Sequence, residues 1–162
     1  MAEVKFKIYR YNPEVGGDGS LMEYRAECEK GDTVLDCLNK IKAEQDGTLT
    51  YRMSCRSAIC GSCAMNICGH TRLACKTQVS NLLELYDEIT VKPLQNFPVI
   101  KDLVSDMRAY WEKVESVMPY LIADGGAPAP QKESLQSPEQ FNTVFEVATC
   151  IMCSACASDC TS

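Results

Sequence analysis

Histidine is nearly missing from this chain, with His70 the only one in 162 residues. No apolar run approaches the roughly 20 residues that a membrane-spanning helix needs, so any work at a membrane would require other subunits as anchors. The first ten residues, MAEVKFKIYR, alternate in charge and lack the apolar core of a secretory signal. Sixteen Lys and Arg stand against 22 Asp and Glu, a formal charge of −6. They form no basic stripe, which argues against nucleic acid as a partner. No GxGxxG or other nucleotide signature is present.

What the chain has in excess is cysteine, eleven in all. An odd number argues against simple disulfide pairing, and the missing signal argues for a reducing compartment, where clustered thiols serve more often as metal ligands. The remaining composition, 46% hydrophobic and 23% charged, is that of an ordinary globular protein able to bury a modest core.

Four of the cysteines, Cys55, Cys60, Cys63 and Cys75, stand in a C-x4-C-x2-C-x11-C array inside YRMSCRSAICGSCAMNICGHTRLACKT. This is the ligand spacing of a plant-type 2Fe-2S cluster. Three sulfurs this close in sequence need a tight loop of small residues that turns backbone N–H groups inward, and Ser57, Ala58, Gly61 and Ser62 are small. The fourth thiol can return on a hairpin turning near Gly69. Zinc is the alternative occupant, since C-x2-C also suits that ion, although zinc sites usually pair two such units at closer range. A Rieske centre needs two histidines and is excluded by the single His70, which reads as a polar hairpin residue. Cys28, Cys37 and Cys68 read as small packing side chains. Arg56 and Arg72 offer positive charge beside the array, or simple surface solvation.

Around the array the pattern predicts an α+β domain. Val4–Asn12 and Leu21–Lys30 alternate as strands of a hairpin, and Asp32 or Thr33 caps a helix carrying Val34, Leu35, Leu38 and Ile41 until Asp46-Gly47. Leu49–Met53 reads as a strand into the cysteine loop and Glu88–Leu94 as a closing strand, together a β-grasp sheet over one helix. From Val99 to Met118 the apolar spacing shifts to a helical period, predicting one long helix with Met107, Trp111 and Met118 as core candidates. Residues 123–137 read as an exposed connection, and Ser137-Pro138-Glu139-Gln140 opens a last helix with a capping-box signature. The expected division is therefore 1–97 and 98–162.

That last helix runs into Cys150, Cys153, Cys156 and Cys160, spaced C-x2-C-x2-C-x3-C as in bacterial-type ferredoxins. In that pattern three thiolates hold one 4Fe-4S cluster and the fourth reaches a neighbouring cluster. Further ligands are then required, and the chain is expected to continue past Ser162.

The two arrays in this order, with CRSAICGSCAMNI, LACKT, MPYL at residues 118–121, SPEQ and CIMCSAC, resemble the iron-sulfur subunit of succinate dehydrogenase and fumarate reductase across essentially the whole sequence. The resemblance implies a β-grasp 2Fe-2S ferredoxin domain followed by a helical, bacterial-ferredoxin-like domain. It implies Cys55, Cys60, Cys63 and Cys75 as 2Fe-2S ligands, Cys150, Cys153 and Cys156 as three corners of a 4Fe-4S cluster, and Cys160 as a ligand of a 3Fe-4S cluster. Ser162 falls where family members have a serine near the quinone site, while Thr161 replaces a common proline. No residue resembles a dicarboxylate catalytic base, so substrate chemistry belongs to an FAD-containing flavoprotein partner. Membrane anchor subunits and quinone complete the implied set, at the cytoplasmic face of the inner membrane. Two other readings stand beside it: a fumarate reductase subunit served by a non-quinol donor, and a free ferredoxin-like carrier.

Overall fold

The computed structural model describes residues 2–120 and 135–161, which form two compact units, residues 2–107 with 152–161 and residues 108–120 with 135–151. In the first, strand β1 (Ala2–Arg10) buries Val4, Phe6 and Ile8 on one face and keeps Lys5 and Lys7 off it, a period-two pattern written directly in VKFKI. Strand β2 (Ser20–Cys28) returns antiparallel with Tyr24 opposite Phe6. Helix α1 (Val34–Glu44) begins at Thr33, whose hydroxyl accepts from Asp36 N while the Asp36 carboxylate accepts from Thr33 N. Val34, Leu35, Cys37, Leu38 and Ile41 line its buried side. Hairpin strands β3 (Ala64–Ile67) and β4 (His70–Leu73) follow, then the short helix α2 (Val79–Leu83), which the sequence pattern did not predict, and β5 (Ile89–Lys92). The sheet order is β2-β1-β5-β3-β4, with β1 and β5 parallel, giving the expected mixed sheet packed on α1.

Two expectations fail. Leu49–Met53 is not a strand: Leu49 is fully buried, but the segment is held by individual bonds, Thr50 N to Asp102 and Leu103 N to Thr50 O. The long helix from Val99 to Met118 is also absent. Its first third forms strands β6 (Val99–Lys101) and β7 (Val104–Ser105) around Asp102, whose backbone is left-handed at φ 48. The physical cause is Asp102 itself, 1% exposed, whose carboxylate accepts from Arg10 Nε at 3.0 Å, Tyr11 N at 3.0 Å and Thr50 N at 2.9 Å. A charge taken from water must be paired, and here three donors pair it only if the chain turns sharply. Arg10 also binds Asp46 and Tyr24. Asp46 is held well below the usual carboxylate range, first by the Thr48 hydroxyl and then by Arg10.

In the second unit, α3 (Arg108–Ser116) and α4 (Pro138–Ala148) bury none of their residues. Trp111 is 42% exposed and Met118 52%, so neither is a core residue in this chain. The capping box at Ser137 and Gln140 forms as expected. The connection from residue 123, like Leu121 and Ser162, lies outside the described residues apart from its last three positions. The closing helix α5 (Ala155–Ser158) belongs to the first unit.

Asp102→Ala leaves two backbone N–H groups without their acceptor and Arg10 with one carboxylate fewer in a site where its side chain is only 13% exposed. It is expected to lower unfolding free energy by about 3 kcal/mol or more, read as a lower denaturant midpoint. Asp102→Asn, which keeps an acceptor oxygen, should lose less.

Candidate metal centre

Two elements bring the first cysteine array together. Residues 54–62 leave the core as an irregular loop, and Cys63 re-enters it, 3% exposed, just before β3. Cys75 follows β4 in a turn closed by Lys76 N and Thr77 N on Leu73 O. That turn is also a helix cap: Val34 N and Leu35 N, unpaired donors at the start of α1, bond to Thr77 O and Ala74 O at 2.9 and 3.1 Å. Ala74 N donates to Cys63 O at 3.1 Å, which fixes the two thiol carriers against each other.

Within the loop the four thiols fall into two pairs. Cys55 N donates to Cys60 Sγ and Cys60 N to Cys55 Sγ, at 3.4 and 3.3 Å, while Cys75 N donates to Cys63 Sγ at 3.5 Å. Ser57 N and Ile59 N also point at Cys55 Sγ, and Ala58 N at Cys75 Sγ. Six backbone donors thus aim at sulfur, an arrangement that favours negative charge there. Among the described residues, the one trio of metal-capable side chains within a single ion's reach is Cys28, Asp32 and Cys37, elsewhere in the fold. The four loop thiols therefore do not converge on one tetrahedral point as a four-cysteine zinc site requires.

The backbone is strained to achieve this. Arg56 and Ala58 both sit at φ 57 and Gly61 at φ 71. For residues with a Cβ such conformations cost of order 1–3 kcal/mol each and persist where function holds them. Alternating left-handed residues turn successive N–H groups to one side, the geometry of an anion-binding nest. Met152 and Ser154 repeat the alternation, at φ 55 and 63, on either side of Cys153. Ser154 is buried, and its hydroxyl has no partner among the described residues.

The electrostatics separate the thiols. Cys60, exposed, is pulled down to about 6 by hydrogen bonds from the Ser62 side chain and the Cys55 backbone. Cys63 is pushed up to about 11 by burial. Cys68 lies apart, half-buried beside Glu88 O, and burial raises its thiol.

Of the second array, Cys150 follows the C-cap of α4, while Cys153, Cys156 and Cys160 belong to the first unit around α5. Asn96, left-handed at φ 61, donates from one amide nitrogen to the carbonyls of Ala157, Ser158 and Cys160 at 3.2, 3.1 and 2.9 Å. Thr71 N on β4 donates to both Asp159 carboxylate oxygens, and the Thr71 hydroxyl meets Ser158 Oγ at 2.7 Å. These anchors were invisible in the sequence, where Thr71, Asn96 and Asp159 carry no motif.

Residues 5–112 match the family model described as a 2Fe-2S iron-sulfur cluster binding domain. The chain is 42% identical over 159 residues to the succinate dehydrogenase iron-sulfur subunit of Paracoccus denitrificans, covering 98% of this chain and 60% of that one. It is equally identical to the mitochondrial succinate dehydrogenase (ubiquinone) iron-sulfur subunit of Candida glabrata, covering 97% and 62%. Among solved structures, a chain of the Mycobacterium smegmatis Sdh1 complex in the apo form superposes with a TM-score of 0.83 at 31% identity, over 98% of this chain and 63% of that one. The chain thus spans about three-fifths of the length of the curated relatives it matches. The resemblance carried by the cysteine motifs is borne out, and the chain belongs to the family of 2Fe-2S iron-sulfur cluster binding domains in the form found in succinate dehydrogenase iron-sulfur subunits.

Proposed function

We propose that this protein is the electron-transfer subunit of a succinate:quinone or quinol:fumarate oxidoreductase, and that Cys55, Cys60, Cys63 and Cys75 bind its 2Fe-2S cluster. The observation that carries the assignment is the division of the four thiols into two backbone-linked pairs. Cys55 and Cys60 would hold one iron, Cys63 and Cys75 the other. Such a cluster accepts and releases one electron at a time. The chain's part is to hold the four thiolates, to aim the N–H groups of residues 55, 57, 58, 59, 60 and 75 at sulfur, and to exclude water on the Cys63 side. Those donors stabilise the more negative, reduced form.

Cys150, Cys153 and Cys156 would provide three thiolates to a 4Fe-4S cluster, and Cys160 one to a 3Fe-4S cluster. The nest around Cys153 and the orphaned Ser154 hydroxyl are the features that suit a sulfide-rich anion. Electrons would enter at the first array from an FAD-containing flavoprotein and leave through the second towards quinone at a membrane anchor. The subunit would then sit at the cytoplasmic face of the inner membrane, held by anchor subunits, since no helix among the described residues is long and apolar enough to cross a membrane. The exposed Phe141, Val144 and Phe145 stripe of α4 suits burial against a further part of the complex.

The protein purified under anaerobic conditions should contain iron and acid-labile sulfide and, once reduced, give a paramagnetic 2Fe-2S signal. Cys63→Ala should abolish that signal, and stoichiometric zinc without iron would reject the assignment. In the cluster-free protein Cys60 should be the first thiol alkylated at pH 7, with the rate falling as pH drops below about 6, because its thiolate is then protonated. With the cluster bound, all four thiols of the array should be protected. Isolation of the native complex should bring down a flavoprotein active on succinate or fumarate with a quinone or quinol. Activity only with viologen or thiol donors would favour a non-quinol fumarate reductase, and a monomer without flavoprotein would favour a free carrier.

A further inference from the structure

Cys28 and Cys37 take part in neither array. Cys28 ends β2, and Cys37 lies in the first turn of α1. They are 5% and 0% exposed, and their sulfurs are 2.6 Å apart. Burial raises both thiols, so both are neutral SH groups at pH 7. Asp32 lies within 4.8 Å of both sulfurs, which makes the trio resemble a metal site. Its Oδ2, however, already accepts from Lys40 Nζ at 2.7 Å and Glu29 N at 2.9 Å. A tetrahedral ion with metal–sulfur bonds of about 2.3 Å would also hold two thiolates about 3.8 Å apart, well beyond the separation found. What remains is a pair of adjacent, buried thiols.

We propose that Cys28 and Cys37 form a redox-active dithiol that closes to a disulfide between β2 and α1 when exposed to a low-molecular-weight disulfide. Cys28 is the entry sulfur, being the less buried of the two. The small fraction of Cys28 that has lost its proton attacks the small disulfide RSSR, giving a mixed disulfide and one RS⁻. The Cys37 thiolate then attacks the Cys28 sulfur and releases the second RS⁻. Two S–H bonds and one RS–SR bond break; one protein S–S bond and two RSH form, the two RS⁻ taking the two protons. The bridge pins α1, whose Asn39 accepts a hydrogen bond from the Tyr51 hydroxyl at the head of the cysteine loop.

The test is anaerobic incubation of the full, cluster-loaded chain in glutathione buffers of increasing oxidised fraction, followed by acid quench, alkylation and trypsin digestion. Cleavage after Lys30 separates the two cysteines, so the bridge appears as AECEK joined to GDTVLDCLNK, sensitive to reductant. The oxidised protein should also melt about 5–10 °C above its reduced form, a difference that Cys28→Ala and Cys37→Ala should each remove. Quantitative alkylation of both cysteines after oxidation, a glutathione adduct on Cys28 that never resolves, or bound zinc lost in Cys28→Ala would each overturn the proposal. The peptide map needs only the unaltered protein, so an unstable variant would not blunt it.

Discussion

The carboxylate of Asp102 is the fixed point of the first unit. One buried group accepts from the end of β1 through Arg10 and Tyr11, and from the approach to the cysteine loop through Thr50. Asp102 N in turn donates to Tyr11 O, and Leu103 N to Thr50 O. Three segments remote in sequence are thus clamped at one site where a missing partner leaves charge or N–H groups buried and unpaired. The cysteine loop has little regular structure of its own, so its departure point must be held from outside, and this clamp holds it. The return point is held differently, by the turn around Cys75 capping α1.

These two anchorages explain how a strained loop can persist. Left-handed Arg56 and Ala58 are unfavourable alone, and no hydrophobic side chain from Met53 to Cys60 is buried to offset the cost. The strain is sustained by the rigid ends. In exchange, N–H groups that would otherwise face water are aimed at sulfur. The site is preorganised by the fold, while its exposed side leaves Cys60 open to approach.

Much of this was legible in the sequence because the relevant signals are local. The thiol spacing, the VKFKI alternation, the cap at Thr33 and the SPEQ box each depend on residues a few positions apart, and the last three appear as expected in the fold. What escaped depends on distance in sequence. Asp102 meets Arg10 across 92 positions, and nothing periodic announces it. Val99, Ile100, Leu103 and Val104 fit a helical stripe equally well, yet Leu103 is drawn into the core and the chain turns at Asp102. Trp111 follows the helical period correctly but stays exposed among the described residues. The pairing of Cys28 with Cys37 likewise could not be read, since a strand end and a helix turn come together only in the fold.

The bonds from Thr71 and Asn96 to α5 have a consequence for how this chain can vary. They return residues 157–160 to the sheet carrying the first array, across 88 positions in the case of Thr71 and Asp159. The stretch between is then a closed excursion whose two ends are set by other parts of the molecule. Closing such an excursion costs entropy that grows only with the logarithm of its length, about 0.6 kcal/mol for a doubling. Lengthening the stretch between those two ends should therefore weigh little on stability. A single residue added between Asp159 and Cys160 would instead move a ligand candidate and its carbonyl out of register with the Asn96 contacts to Ala157 and Ser158.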